Sequence, residues 1–595
     1  MIGNTLSQSM RSFLQIALVT VFMLSSHPAI AGEDDKLDAI IDAYWQASLE
    51  ADPFSATYSG QTAFNDKVPD VSPEAINAHT AKLVEFQARL NELRLRKLDD
   101  NDALNAQLLS FILKHDIAQA SFDPWRIPFL ADTGFHTNFS YLVDATSFRT
   151  EKDYTDYLTR LRGISGYITQ HISNMQQGLA DGFTQPKEIM PFILPSFAAL
   201  VKDEPTDYLF YRPFETFPDT ISSVRQEELS AYAREIIETE IAPSFVMLEK
   251  FMRVKYAPNA RETIGAGELT DGAAYYEGLV RFYTSRDDAT ADEIHELGLA
   301  EVARIRAEMV EVIRETDFDG SFDAFTAFLR TDPQFYAKTS QDLLERAAWL
   351  AKDIDGKLPA FFGKLPRQPY SVEPVPADIA KNYTTGRYVG APANADRGGQ
   401  YWVNTYALDK RPLYQLAALT LHEATPGHHL QGALSLEIGD VPAFRAQFYP
   451  HAFGEGWGLY AEKLGVEMDV YKTPYDHFGR LSYEMWRACR LVIDTGLHAK
   501  RWTRQDAIDY LAGNTALSSH NVQTEVDRYI SWPGQALAYK IGELTLWELR
   551  AHAKSELGDA FDVREFHDAV LAEGGLPLEV LRVQIDNYIA GKKAE

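Results

Sequence analysis

Along most of the chain, apolar residues recur at intervals of three and four. Leu37, Ile40, Ile41, Tyr44 and Trp45 form one such stripe, and Val302, Ile305, Met309, Val312 and Ile313 form another. That is the period of one face of an α-helix, and stretches near 82–97, 225–256, 290–315 and 535–552 repeat it. Strand-like alternation is scarce. Its best example is Gln400 to Leu408, rich in aromatic and β-branched residues, which leads through Pro412 into an apolar helical segment carrying Leu413, Leu416, Ala417, Leu419 and Leu421. Five prolines between Pro359 and Pro376 exclude a regular helix there and predict a crossover. The pattern therefore predicts a mainly α protein with one small β-sheet beside the helix that follows Pro412. It divides residues 32–595 into a helical subdomain, 32–375, and a second subdomain, 376–595. No repeat of fixed period is evident, which argues against a solenoid.

Composition changes this picture little: 45% hydrophobic and 24% charged residues are ordinary for a chain that buries a sizeable core. The net charge of -28 speaks against nucleic acid as a partner, because phosphate binding relies on clustered cations. The N-terminus changes the picture more. Arg11, the apolar run Phe13 to Leu24 and the small residues of Ala29-Ile30-Ala31 predict an export signal over residues 1–31. The run is too short to span a bilayer, and no cysteine sits at the cleavage site, so a periplasmic or secreted protein without a membrane anchor is expected. Cys489 is the only cysteine, which excludes an intrachain disulfide and any Cys-rich metal site. A metal here must be held by histidine and carboxylate.

Those residues are concentrated in one place. His422 and Glu423 end the apolar segment after Pro412, and Pro426-Gly427 separates them from His428 and His429. Helix-borne His-Glu-x-x-His binds zinc through its two imidazoles, with the Glu as general base for the attacking water. On an unbroken helix His422 and His428 would stand about 120° apart, whereas His422 and His429 would be nearly in register but about 10 Å apart along the axis. Pro426 should kink or bulge the helix, which leaves either His as the second ligand. A catalytic zinc takes a third protein ligand and keeps one position open. Glu455 is the best candidate, because Gly454, Gly456 and Gly458 let its segment approach the motif helix closely. Glu462, on the same helical face, is the alternative, or else it orients a ligating His.

The run His422 to Gln431 resembles the bacterial domain-of-unknown-function 885 family. Further family-like segments start at Pro53, Tyr276, Thr290, Glu455, Arg490 and Pro533, and they span nearly the whole mature chain. The resemblance implies one catalytic unit over 32–595, related to the gluzincin peptidases that include thimet oligopeptidase and angiotensin-converting enzyme. It implies a large helical metallopeptidase-like fold with a deep cleft. It also implies His422, His428 and Glu455 as ligands of one Zn2+ per chain, with Glu423 as the catalytic base. Donors for the oxyanion are sought at His498, Tyr539 and Tyr529. Arg528, Lys540 and Tyr529 are candidates for binding substrate, the two cations as a clamp on a carboxylate.

The expected function is zinc-dependent peptide hydrolysis, of carboxypeptidase or oligopeptidase type. A zinc amidase or other non-peptide hydrolase is the first alternative, and a non-catalytic periplasmic protein that captures peptide or metal is the second. Glu423 beside His422 weighs against pure capture, which needs no base there.

Overall fold

The computed structural model describes residues 32–377, 379–391, 397–439 and 441–595. The export segment expected over 1–31 lies outside them. The first apolar stripe becomes α1 (Glu33–Ala51), with Leu37, Ile40 and Ile41 buried. The longest helix, α2 (Glu151–Asp181), starts where the Thr150 hydroxyl accepts from Asp153 N. After α3 (Gly272–Thr284) comes α4 (Ala291–Glu315), which buries Val302, Ile305, Met309, Val312 and Ile313 on its apolar face. The periodic segment at 82–97 is α-helical only as far as Asn91 and ends in a 3-10 turn over Leu95–Lys97.

The proline-rich stretch carries no α-helix and instead holds β1 (Tyr370–Pro374). With β2 (Gly386–Val389) and β3 (Gly399–Val403) it forms a sheet of order β1-β3-β2. β1 pairs parallel with β3, Val372 opposite Tyr401, and β2 pairs antiparallel with it, Tyr388 opposite Tyr401. The strand expected from Gln400 to Leu408 therefore stops at Val403. Asn404 ends it by donating its carboxamide to the carbonyls of Ala380, Tyr383 and Thr384 at 2.9, 3.1 and 2.9 Å. Since β3 is central, both its edges are taken, so a peptide cannot add to it; β1 and β2 are the edge strands.

Beyond the sheet run α5 (Leu416–Glu423), α6 (His428–Ser435), α7 (His451–Glu467), α8 (Pro474–Ala499), α9 (Ser519–Ser531), α10 (Ala538–Leu557) and α11 (Leu578–Ala594). The short helix α5 is apolar all round because it is a wedge between two apolar clusters. Leu416, Ala418 and Leu419 belong to the cluster that also takes in Leu161 of α2, Ile305 of α4 and Ile493 of α8. Ala417 and Leu421 belong to the second cluster, which also takes in Ile41 of α1, Trp457 of α7, Leu546 of α10 and Leu581 of α11. Each cluster draws on residues from either side of position 375. Leu419 and Leu421, each worth about 1.5–3 kcal/mol when buried, fix the helix that ends in His422 and Glu423. Among the described residues no helix is long and apolar enough to cross a membrane.

Candidate metal centre

The kink expected at Pro426 is a complete break. Helix α5 stops at Glu423, the Thr425–Pro426 peptide is cis, and the N–H of His429 returns to the carbonyl of Ala424 at 3.1 Å as α6 begins. Gly427 is indispensable to this reversal, since a Cβ there would lie 1.9 Å from the His422 carbonyl oxygen. Trp457 Nε1 pins the turn by donating to the Pro426 carbonyl at 2.8 Å. The reversal brings the His428 ring to 4.7 Å from the His422 ring, at 89° to it.

Glu455 of α7 completes the group. Its Oε2 is 3.4 Å from His428 Nε2 and 3.7 Å from His422 Nε2, and one donor atom from each of the three residues lies within 4.8 Å of the others. Four ligands at about 2.0–2.1 Å around a tetrahedral ion stand about 3.3 Å apart, so this donor set fits zinc with small adjustments. Glu462, one heptad after Glu455, is not in the group. Its Oε1 is 2.8 Å from His422 Nδ1 and fixes the ring with Nε2 turned to Glu455, the orienting role open to it from the sequence. Burial opposes charge on His422, but the carboxylates of Glu455 and Glu462 on its two nitrogens outweigh it and raise its pKa to about 10. Burial likewise disfavours the Glu455 anion, yet the two imidazoles hold its carboxyl well below the usual range. The place between these residues is electrostatically suited to a cation.

His429 points elsewhere. Its Nε2 meets the Gln368 carbonyl at 3.1 Å, and desolvation pushes its pKa down to about 4. Only Gly458 of the three glycines serves the approach to the motif helix: a Cβ there would lie 2.6 Å from the His422 ring. Gly454 makes room for Tyr449, and Gly456 packs on Gly542 of α10.

Glu423 stands beside this group with Oε2 accepting from Tyr388 N of β2 at 2.8 Å. Both face a cavity of about 610 Å3, which also takes in His422, His428, Glu455, Arg528 and Tyr539. Three expected site residues are not brought there. His498 is sealed in α8, its Nδ1 accepting from Ala266 N and its Nε2 donating to the Tyr529 carbonyl, both at 3.0 Å. With both ring nitrogens spent on backbone, it has none for an oxyanion. Lys540 is fully buried and neutralised by Glu543, Glu484 and Glu301 at 2.6, 2.8 and 3.1 Å, so it clamps no substrate. The Tyr529 hydroxyl is taken by Trp486 Nε1 and Arg490 Nε, at 2.8 and 3.0 Å. Conversely, Arg387, Arg487, Arg490 and His451 line the cavity although the sequence reading passed over them. Two of them, Arg487 and Arg490, sit in α8, which is buried from Phe478 to His498, and an arginine in so deeply buried a helix needs a reason.

The model of the family described as "Bacterial protein of unknown function (DUF885)" matches residues 53–585. No curated protein matches. A crystal structure of the "putative lipoprotein" from Colwellia psychrerythraea superposes with a TM-score of 0.88 at 26% identity, over 94% of this chain and 100% of that one. A "putative lipoprotein of unknown function" from Shewanella oneidensis superposes with a TM-score of 0.70 at 18% identity, over 93% and 99%, and shares the fold.

Proposed function

The chain belongs to the DUF885 family of bacterial proteins of unknown function, and from that premise we propose that it is a zinc-dependent peptidase of gluzincin type. The observation that carries this reading is the convergence of His422, His428 and Glu455 beside a carboxylate, Glu423, that is not one of the three. Bound there, zinc would supply a water of pKa ~7 and polarise the scissile carbonyl. Everything else falls to the chain. Glu423 takes a proton from the water as its oxygen bonds to the carbonyl carbon, and hands it to the nitrogen as the C–N bond breaks. The Tyr388 N–H anchors one oxygen of Glu423 and leaves the other to move the proton. Tyr539, whose hydroxyl takes no protein partner among the described residues, is the remaining donor for the oxyanion. The cavity is then the substrate cleft. The lipoprotein descriptions of the two structural neighbours and the signal-like pattern of residues 1–31 support an exported protein.

Mass spectrometry of a mixed peptide pool incubated with the zinc-loaded protein tests the reading and reports the cleavage register. Hydrolysis is expected, with metal lost in His428→Ala and kept in His429→Ala. A zinc-replete protein that cleaves nothing in the pool would overturn it.

A further inference from the structure

The cavity that holds the donor cluster is also lined by two guanidinium groups, those of Arg490 and Arg528. Arg490 of α8 is 2% exposed and held on every side but one: Nε donates to the Tyr529 hydroxyl at 3.0 Å and Nη2 to Glu525 Oε2 at 2.9 Å. The rings of Tyr539 and Trp486 stack on it, 4.1 and 4.6 Å from its centre. Its Nη1 is buried and has no partner. Arg528 of α9 lines the same cavity, spends Nη2 on the neutral Gln535 at 3.2 Å, and also keeps a buried Nε without a partner. The one carboxylate within 4 Å of it among the described residues is that of Asp132, 3.9 Å away and 41% exposed. Arg387 of β2 lines the cavity too, and makes no ion pair among the described residues.

An unsatisfied donor on a buried guanidinium is costly, and two such groups lining one hollow add mutual repulsion. Nothing in the fold requires this arrangement, since Lys540 shows how the same protein neutralises a buried cation completely. The planar fork of arginine matches a carboxylate, and the stacked rings of Trp486 and Tyr539 hold that fork in one orientation.

We propose that Arg490 and Arg528 form a carboxylate-recognition site in the cavity of the donor cluster, so that the substrate presents a free C-terminus or an acidic side chain there. The assignment of the ligand as a substrate rests on the peptidase reading; the carboxylate site itself does not. A carboxylate fixed by the two arginines would set which peptide bond lies beside Glu423. Asp132, at the outer edge of the cavity, competes with it for Arg528.

Binding is therefore measured on the zinc-loaded Glu423→Gln protein, which need not turn over. The probes are a dansylated tripeptide pool with free C-termini, the same pool amidated, and the amidated pool with Asp or Glu as last residue. The free acids should bind about 10–100-fold more tightly than the plain amides, the worth of hydrogen bonds to a charged group. Adding Arg528→Gln should reduce that ratio to less than about threefold, and adding Asp132→Asn should raise it. Tight binding of the amidated acidic pool would identify a side chain as the carboxylate source, and weak binding would identify the C-terminus. Equal affinity for acids and amides, or a preference that survives Arg528→Gln, overturns the proposal. If the preference is present and the wild-type protein still cleaves none of these peptides, the carboxylate site stands and the peptidase reading falls.

Discussion

Two groups of buried polar side chains sit on neighbouring helices, and they are built on opposite plans. Around α5, α6 and α7, His422, His428 and Glu455 turn donor atoms toward one another with no other protein group to receive them. Between α8, α9 and α10, His498, Tyr529 and Lys540 are at least as deeply buried, yet each reactive atom is engaged: imidazole by two backbone groups, hydroxyl by two N–H donors, ammonium by three carboxylates. Depth of burial does not mark out the reactive group, since the more deeply buried of the two is the one whose polar atoms are all engaged. The difference lies in what is left over after the fold has satisfied itself, and chemistry is available only where something is.

That contrast can be broken at either end. Glu423→Gln preserves shape and removes the base, so turnover should fall by about 10²–10⁴ with zinc content and folding intact. Loss of the metal on assay by atomic absorption would instead make Glu423 a ligand and collapse the distinction drawn at the first site. Lys540→Met strikes the second group. It leaves the Glu484, Glu543 and Glu301 carboxylates facing one another, and should cost about 3–5 kcal/mol in chemical denaturation, with unchanged turnover per folded, zinc-loaded molecule. A kinetic defect in the folded fraction would return Lys540 to the site.

The smallest effect concerns pH. Burial holds the His498 pKa down at about 3, whereas the unfolded chain takes a proton near 6.5. Below 6.5 the unfolded state binds a proton that the folded state refuses, so this residue's contribution to stability is lost as pH falls from about 6.5 toward 3. His498→Gln keeps a donor and an acceptor without the charge. Relative to the wild type, the variant should gain up to about 2 kcal/mol on going from pH 7 to pH 5. An identical pH dependence in both proteins would show that His498 is protonated where it lies, and hence not sealed.

Much of the first group was legible because it is local. His422, Glu423 and His428 lie within seven positions, and Glu455 is marked by its glycines. The choice between His428 and His429 was not legible from spacing, because it depends on where the chain turns within Ala424–Gly427, and that turn is held by Trp457 from another helix. The second group misled for the same reason. His498, Tyr529 and Lys540 look as chemically able as the ligands until Ala266, Trp486 and Glu301 are brought against them from distant parts of the chain. Arg490 sits in the segment that was read for His498, and its partner Glu525 comes from α9. The helical stripes on α1 and α4 were plain from period alone. The length and central place of β3 were not, because they are decided by Asn404 and by strands that pair from outside its own segment.

The helix α7 concentrates several duties over the heptad interval from Glu455 to Glu462: Glu455 faces the two histidines, Trp457 holds the turn, Gly458 admits the His422 ring and Glu462 orients it. Each added or deleted residue rotates everything beyond it by about 100°. Over a geological span of sequence drift, loops on the surface can lengthen and shorten freely, whereas this heptad can accept substitutions only one face at a time and no change of length at all. Its residues should accordingly be inherited as a block, with the fate of each mutation decided by which of its three companions are already in place.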